Sequence, residues 1–425
     1  MNPDHRQPLL IVLALALVAG LLWLAVAALR PLPERSFSMA TGPEGSAYRA
    51  FAELYREALA KQGVTLQLVP TNGAYDNVAR LRDPKSGISV AFVQSGVTTA
   101  AESPDLLSLG TMFYEPLWVF CRCQPTGHAF HESLGHHVSI GPPGSATREL
   151  AQRLMRLNGL DPATLSIEGY SPEQAAEELQ AGRIDTAIID TAWESAAVQR
   201  LLADPSINVV DFPRADAYVA RLPFLSRVVL PMGVADLARN RPAQDVTLIA
   251  PKASLVVRED LHPALQYLLI DAATKIHARP DVLQTAGEFP SPEQIDLPLS
   301  REAEHMYRNG PNFLRRHLPF WLAELVQRLL LFGIPMLGLL YPVTTLAPQV
   351  WRWEMSRRLQ RMYRELQRLE KDLRHAPDGP RRDELRGRLD ALEASAARMK
   401  LPDSFAAMSY ELKQNIHFVQ ERTRK

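Results

Sequence analysis

Four short segments have the residue types and spacing to hold an anion. They are Thr41-Gly42-Pro43-Glu44-Gly45-Ser46, Thr71-Asn72-Gly73-Ala74-Tyr75-Asp76-Asn77, Gln94-Ser95-Gly96-Val97-Thr98 and Gly141-Pro142-Pro143-Gly144-Ser145-Ala146-Thr147. Glycine and small hydroxyl residues let backbone N–H groups approach a ligand closely. Where a helix follows, its first N–H groups lack partners and carry a partial positive charge. A carboxylate or phosphate is at home at such a site. Any one segment alone is also ordinary turn and capping chemistry. Tyr48, Tyr75 and Trp193 offer flat apolar surface for a pocket wall, with core packing as the plainer alternative.

The elements that must position these loops alternate between strand and helix. Period-two and short apolar runs predict strands at 36–40, 64–70, 88–93, 117–123, 138–140, 165–170, 186–189, 246–250 and 254–257. Amphipathic spacing predicts helices at 46–62, 75–82, 146–158, 172–181 and 262–278, the first with Phe51, Leu54, Tyr55, Ala58 and Leu59 on its apolar side. Alternation of this kind implies an α/β fold with mostly parallel sheets covered on both faces. The stretch is too long for one sheet, so two lobes are expected. Lobe 1 is assigned to 36–118 and 231–315, and lobe 2 to 119–230. The chain crosses near Glu115–Arg122 and returns near Pro223–Pro231.

Apolar segments bracket this module. Residues 9–29 form a charge-free run long enough to cross a bilayer, after a short cytoplasmic segment at 1–8. A second candidate span covers 319–347, with Phe320 and Trp321 as an interfacial aromatic anchor. The arginine cluster that follows, from Arg352 to Arg374, belongs on the cytoplasmic side. Two spans then put both termini in the cytoplasm and the lobes in the periplasm of a bacterial inner membrane. In that space Cys121 and Cys123 would face oxidising conditions. They share one face of an extended strand, where bridging is strained, so two buried thiols are expected. Residues 351–425 read as a helical hairpin or coiled coil: Leu359, Met362, Leu366, Leu369 and Leu373, then Leu385, Leu389, Leu392, Ala396 and Met399, both at three-four spacing. A last amphipathic helix from Ser404 to Val419 carries Phe405, Met408, Leu412 and Ile416 on one side.

Several function classes drop out. The chain has 425 residues, with 47 basic and 47 acidic side chains, so it lacks the basic excess of a nucleic-acid binder. It contains no phosphate-binding P-loop and no dinucleotide fingerprint, so no cofactor is expected. His131-Glu132-Ser133-Leu134-Gly135-His136 places its second histidine one residue too late to share a metal face with the first. Glu173, Glu177 and Glu178 read as the solvated side of a helix. Without a nucleophile–base pair, an enzyme is not expected.

Taken in order, GPEGSAYRAFAELYREAL, PTNGAYDNVARL, GISVAFVQSGV, SIGPPGSATRELAQRLM and GRIDTAIIDTA resemble the TAXI-type solute-binding receptors of tripartite (TRAP) transporters. The likeness spans about residues 36–310, and the tail resembles the membrane-anchored branch of that family. It implies a two-lobed, type II periplasmic-binding-protein fold that closes on a small organic acid, an amino acid or a keto or dicarboxylic acid, and works with permease subunits. It also implies ligand contacts from Gly45, Ser46 and Tyr48, from Asn72, Gly73 and Asn77, from Gln94 and Ser95, and from Gly144, Ser145 and Thr147. Tyr75, Thr191 and Trp193 complete the candidate set. Pro43-Glu44 and Arg49 depart from the family pattern, as does Asp190-Thr191-Ala192-Trp193, which replaces a stretch that commonly contains glycine. The helical tail admits an alternative, a solute sensor or scaffold that signals to a cytoplasmic partner.

Overall fold

The structure is a computed structural model and describes residues 33–123, 130, 134–310, 318, 320–328, 330, 334–377, 379–398 and 405–424. The chain divides into a unit ending at Val326 and a unit beginning at Gln327. The first unit holds two α/β lobes.

Lobe 1 is built on β1 (Ser36–Ala40), β2 (Thr65–Val69), β3 (Ile88–Gln94) and β4 (Leu106–Tyr114), with α1 (Ala47–Ala60) and α2 (Ala74–Arg82) between them. Lobe 2 carries β5 (Leu117–Cys121), β6 (His137–Ser139), β7 (Ser166–Glu168), β8 (Thr186–Asp190) and β9 (Asn208–Val209). Its helices are α3 (Ala146–Leu157), α4 (Pro172–Gln180), α5 (Ala196–Ala203) and α6 (Ala215–Arg221). A hairpin of β10 (Ser226–Leu230) and β11 (Val246–Ala250) stays with lobe 2, its residues sharing the core of Trp118, Phe120 and Leu154. The chain returns to lobe 1 through β12 (Lys252–Arg258), followed by α7 (Pro263–His277) and α8 (Arg301–Asn309).

The two sheets follow one plan. Lobe 1 has the order β2-β1-β3-β12-β4 and lobe 2 the order β7-β6-β8-β5-β9. In each, three parallel strands lie in the order second, first, third. The strand beside the third is an antiparallel one that has just crossed from the other lobe, β12 in lobe 1 and β5 in lobe 2. The two crossings lie side by side, for the Glu115 amide donates to the Pro251 carbonyl at 2.9 Å. Each crossing is thus one or two residues long.

The parallel strands are buried on both faces, as their apolar runs require. Val90, Ala91 and Phe92 of β3 are buried in lobe 1, and Ala187, Ile188 and Ile189 of β8 in lobe 2. On α1 the buried residues are Ala47, Tyr48, Ala52, Tyr55 and Leu59, one helical stripe, while Leu54 turns outward. Helix starts are capped by serine: Ser46, Ser145, Ser171 and Ser300 each accept a backbone N–H of the first turn.

Several expectations need correction. The return crossing lies at Ala250–Lys252, not near Pro223–Pro231, because the β10–β11 hairpin buries its apolar face in lobe 2. Cys121 and Cys123 form a disulfide. β5 ends at Cys121 and the chain bends there, so the Cα atoms stand 5.2 Å apart, within ordinary bridging range. Phe320 and Trp321 do not anchor at a membrane surface. They open α9 (Phe320–Arg328), Phe320 is buried in the lobe 1 core, and Trp321 donates from Nε1 to the Gln62 carbonyl at 3.0 Å with Arg35 over its ring. Residues 9–29 lie outside the described residues. Among the described residues no helix is long and apolar enough to cross a membrane. The next helix runs without a break from Ile334 to His375 and carries Pro335, Pro342 and Pro348 in its first half.

The second unit packs α10 (Ile334–His375), α11 (Pro380–Arg398) and α12 (Ala406–Arg424) around a core of its own. Leu359, Leu366, Leu369 and Leu373 meet Leu385, Leu389, Leu392 and Ala396, and Leu412, Ile416 and Val419 close the third side. Three helices share this core, where a two-helix hairpin or coiled coil was expected. Met408 is exposed, so α12 presents Phe405, Leu412 and Ile416 inward without it.

Candidate functional site

The candidate loops sit at the carboxyl ends of strands β1, β2, β3 and β6, where each lobe faces the other. Two of them are one structure repeated. In Gly42-Pro43-Glu44-Gly45-Ser46 and in Gly141-Pro142-Pro143-Gly144-Ser145, the second glycine is left-handed, with φ of 78° and 81°. The serine hydroxyl donates to the proline carbonyl at 2.7 Å in both and accepts the arginine amide three residues on, at 3.4 Å from Arg49 and 3.3 Å from Arg148. The hydroxyls of Ser46 and Ser145 are therefore spent on capping. What each loop offers a solute is main-chain N–H at a helix start.

The lobes meet along these loops. The Ala47 amide of lobe 1 donates to the Thr191 hydroxyl of lobe 2 at 3.4 Å. A Cβ on Gly73 would stand 3.7 Å from the Cα of Ser145, one on Gly45 would run into the Glu173 carboxyl, and one on Gly96 would strike the Phe224 ring. At Gly45 and Gly96 the opposite lobe lies where a side chain would go, whereas at Gly73 a Cβ would make ordinary contact and the backbone, with φ of 117°, is what requires glycine. Glu173 is thus not a solvated surface residue: it is half-buried, both oxygens lack partners, and burial raises its carboxyl above the usual range.

A cavity of about 420 Å³ opens between the lobes. Tyr75, Gln94, Ser95 and Gly96 line it from lobe 1, and Ala146, Glu149, Arg153, Arg156 and Phe224 from lobe 2, so one acid stands beside the two arginines. Arg153 stacks over Phe224 with its guanidinium carbon 5.5 Å from the ring centre. The Ser95 hydroxyl is buried without a partner. These two arginines were absent from the sequence-based candidate set. Their signal was weak, since they lie on the polar face of α3 and read as solvated charge.

Beside the crossing lies a group of acids that sequence reasoning also missed. Tyr48 is buried and its hydroxyl donates to Glu115 Oε2 at 2.9 Å. Glu115 sits in the first crossing, and Asp190 ends β8. The Gln94 side-chain amide approaches the Asp190 carboxyl, but neither of its oxygens receives a well-aligned hydrogen bond. Burial pushes Asp190 up to about 8, opposed only by the Gln94 amide of lobe 1. Burial, and then the charge of Asp190, raise Glu115 well above the carboxylate range. Burial also raises the Tyr48 hydroxyl, with Glu115 adding to it.

The other candidates divide by what they touch. Asn77 is buried inside lobe 1, where its amide nitrogen donates to the carbonyls of Thr41 and Phe92 at 2.8 and 2.9 Å and its oxygen accepts the Thr71 hydroxyl at 2.6 Å. It ties three loops together and has no polar atom left for a solute. Asn72 is exposed, and its amide donates to Asp76. Thr147 is half-buried on the first turn of α3, and Gly144 has open space around it. Trp193 packs on Trp118 at 6.2 Å and belongs to the margin of the lobe 2 core. His128, His131 and Glu132 lie outside the described residues, and His136 and His137 are exposed at β6.

Two α/β lobes of equal plan, joined by paired crossings and facing across polar loops, make this a periplasmic-binding-protein-like module. Among solved structures, a protein of Bordetella bronchiseptica RB50 matches at 14% identity and a TM-score of 0.41, over 58% of this chain and 72% of that one. The periplasmic aliphatic sulphonate binding protein SsuA of Escherichia coli matches at 14% identity and 0.36, over 57% and 74%. The ligand-binding component of an ABC-type import system of Staphylococcus aureus matches at 14% and 0.34, over 57% and 73%. Family membership rests on the sequence itself: residues 39–278, more than half of the chain, match the model of the NMT1-like family, and the chain belongs to that family.

Proposed function

We propose that this chain is a receptor that captures a small organic acid between its lobes outside the cytoplasmic membrane and delivers it to a TRAP-type permease. The observation that carries the reading is the cavity between the lobes. It is lined from one side by Gln94 and Ser95 and from the other by the start of α3 with Arg153 and Arg156. An acidic group of the solute lies against those guanidinium groups and the main-chain N–H groups of the helix starts. Closure is favoured by contacts that only the closed arrangement makes, so the solute shifts the lobes toward it. Gly45, Gly73, Gly144 and Thr191 shape the contact, and Tyr75 forms part of the wall.

The disulfide between Cys121 and Cys123 supports an extracytoplasmic setting, where such bonds persist. Anchoring is assigned to the apolar run at 9–29, with the lobes in the periplasm of a bacterial inner membrane. The TRAP assignment rests on the TAXI resemblance. A second reading, in which solute occupancy is relayed to a cytoplasmic partner, is favoured by the helical unit beginning at Gln327, which has a core of its own. A thermal-shift screen of the full-length chain against small carboxylates tests the receptor reading: one or more should raise the melting temperature in a concentration-dependent way. A flat response to every carboxylate counts against it. Co-purification with polytopic permease subunits separates transport from signalling, which predicts a soluble partner held by the tail.

A further inference from the structure

Asp190 and Glu115 are a feature that acid binding does not use. Glu115 is buried where the lobes meet, and Asp190 is half-buried there with its carboxyl oxygens shielded from solvent. Asp190 stands one residue before Thr191, which accepts the Ala47 amide from the opposite lobe. Glu115 stands beside the second crossing, bonded through its amide to Pro251. The side chains facing this pair are Tyr48 of α1, which donates to Glu115, and Gln94 at the end of β3. Among the described residues no basic group appears among the charges acting on either acid. Asp190 therefore holds shielded acceptor oxygens without a well-aligned donor, and such an acceptor is expensive to keep.

We propose that Asp190 and Glu115 form a subsite for a protonated nitrogen of the solute, complementary to the arginine and helix-start side of the cleft. The inference rests on the receptor reading and narrows it: the solute carries both signs of charge, or a cationic nitrogen with polar groups. An ammonium has three donors and no acceptor, so it satisfies both acids without leaving a partner empty. It also supplies the countercharge that lets Asp190 ionise inside the closed lobes. A carboxylate placed at this spot meets two acids, the Tyr48 hydroxyl, which is already engaged, and the neutral Gln94 amide, with no cation to balance it.

The test uses the full-length chain and pairs of compounds that differ in nitrogen: L-glutamate with glutarate, L-alanine with propionate, and putrescine with 1,4-butanediol. Affinities come from isothermal titration calorimetry at pH 7 in two buffers of different ionisation enthalpy. The nitrogen-bearing member of at least one pair should bind more tightly by about tenfold or more. Its binding should release close to one proton, because Asp190 holds a proton before the solute arrives and loses it afterwards. Asp190→Asn should shrink the preference to less than about threefold and abolish the proton release. Glu115→Gln, which keeps the size of the side chain and an oxygen for Tyr48, should shrink the preference as well. Equal or tighter binding of the nitrogen-free compounds overturns the subsite and leaves the receptor reading standing. Binding of a nitrogen compound without proton release also overturns it. Binding by none of the six counts against both.

Discussion

The helix-starting loops of the two lobes share a sequence, a left-handed glycine and a serine cap, yet they are held in place differently. In lobe 1 the loop is fixed from inside. The Thr41 carbonyl takes a bond from the buried Asn77 amide at 2.8 Å, and the Thr71 hydroxyl lies within reach of both that carbonyl and the Asn77 oxygen, its one proton serving either. In lobe 2 the Gly141 carbonyl takes one bond at 3.1 Å from the half-buried guanidinium of Arg148, on the helix that the loop itself starts. The surroundings differ too: Gly45 lies under Glu173 of the other lobe, whereas Gly144 has open space. A loop fixed by its own lobe's core can serve as the rigid half of a closing site. A loop fixed by its own helix moves with that helix.

The comparison breaks most sharply at Asn77. Asn77→Ala removes three buried hydrogen bonds, leaving the Thr41 carbonyl and the Thr71 hydroxyl only each other, and should destabilise the lobed unit by about 3 kcal/mol. Arg148→Ala removes one hydrogen bond from a half-buried guanidinium and should cost about 1 kcal/mol. Equal costs in urea denaturation would remove the distinction.

Asp190→Asn comes next, with the opposite sign. Asp190 has a folded value near 8 against an ordinary value of 3.8, so the folded state binds a proton that the unfolded state has released. Stability from this group is whole below pH 4 and is lost as pH rises toward 8. Asparagine removes that loss and should raise the stability of the solute-free protein at pH 8 by about 2 kcal/mol. The variant should also flatten the fall in melting temperature between pH 4 and pH 8. A variant less stable than the parent at pH 8 contradicts this.

Gly45→Ala and Gly144→Ala should each cost about 1 kcal/mol through the left-handed backbone. Only Gly45→Ala pushes on Glu173 and should also weaken solute binding, which a titration of each variant resolves. The smallest effect is a matched one. Ser46→Ala and Ser145→Ala each lose a cap with the same bonds and should each cost about 1 kcal/mol. A difference larger than that cost would mean that the two caps are not equivalent.

The loops and the strand–helix alternation were legible because local chemistry produces them: glycine turns, serine caps and apolar periods act over a few residues. β4 was missed because Gly110 and interleaved Ser108 and Thr111 break its apolar run. In the structure Gly110 is left-handed, and the pairing with β12 shifts register nearby. What faces what across the cleft was not legible. Glu115, Asp190 and Glu173 are ordinary acids in the sequence, and only the folding of one lobe against the other takes them out of water. Asn77 shows the reverse: it matched a ligand motif, but its position one helical turn after Gly73 turns it into the core. Arg153 and Arg156 share the polar stripe of α3 with residues that face only solvent, so periodicity alone cannot separate them.

Hydrogen exchange of the full-length chain, with and without the compound that gives the largest thermal shift, tests closure most directly. The amides of 41–48, 72–77, 94–98 and 144–148 should slow together on solute binding, while those of α11 and α12 stay as they were. Protection confined to one lobe, or to the helical tail, would contradict a solute held between two lobes.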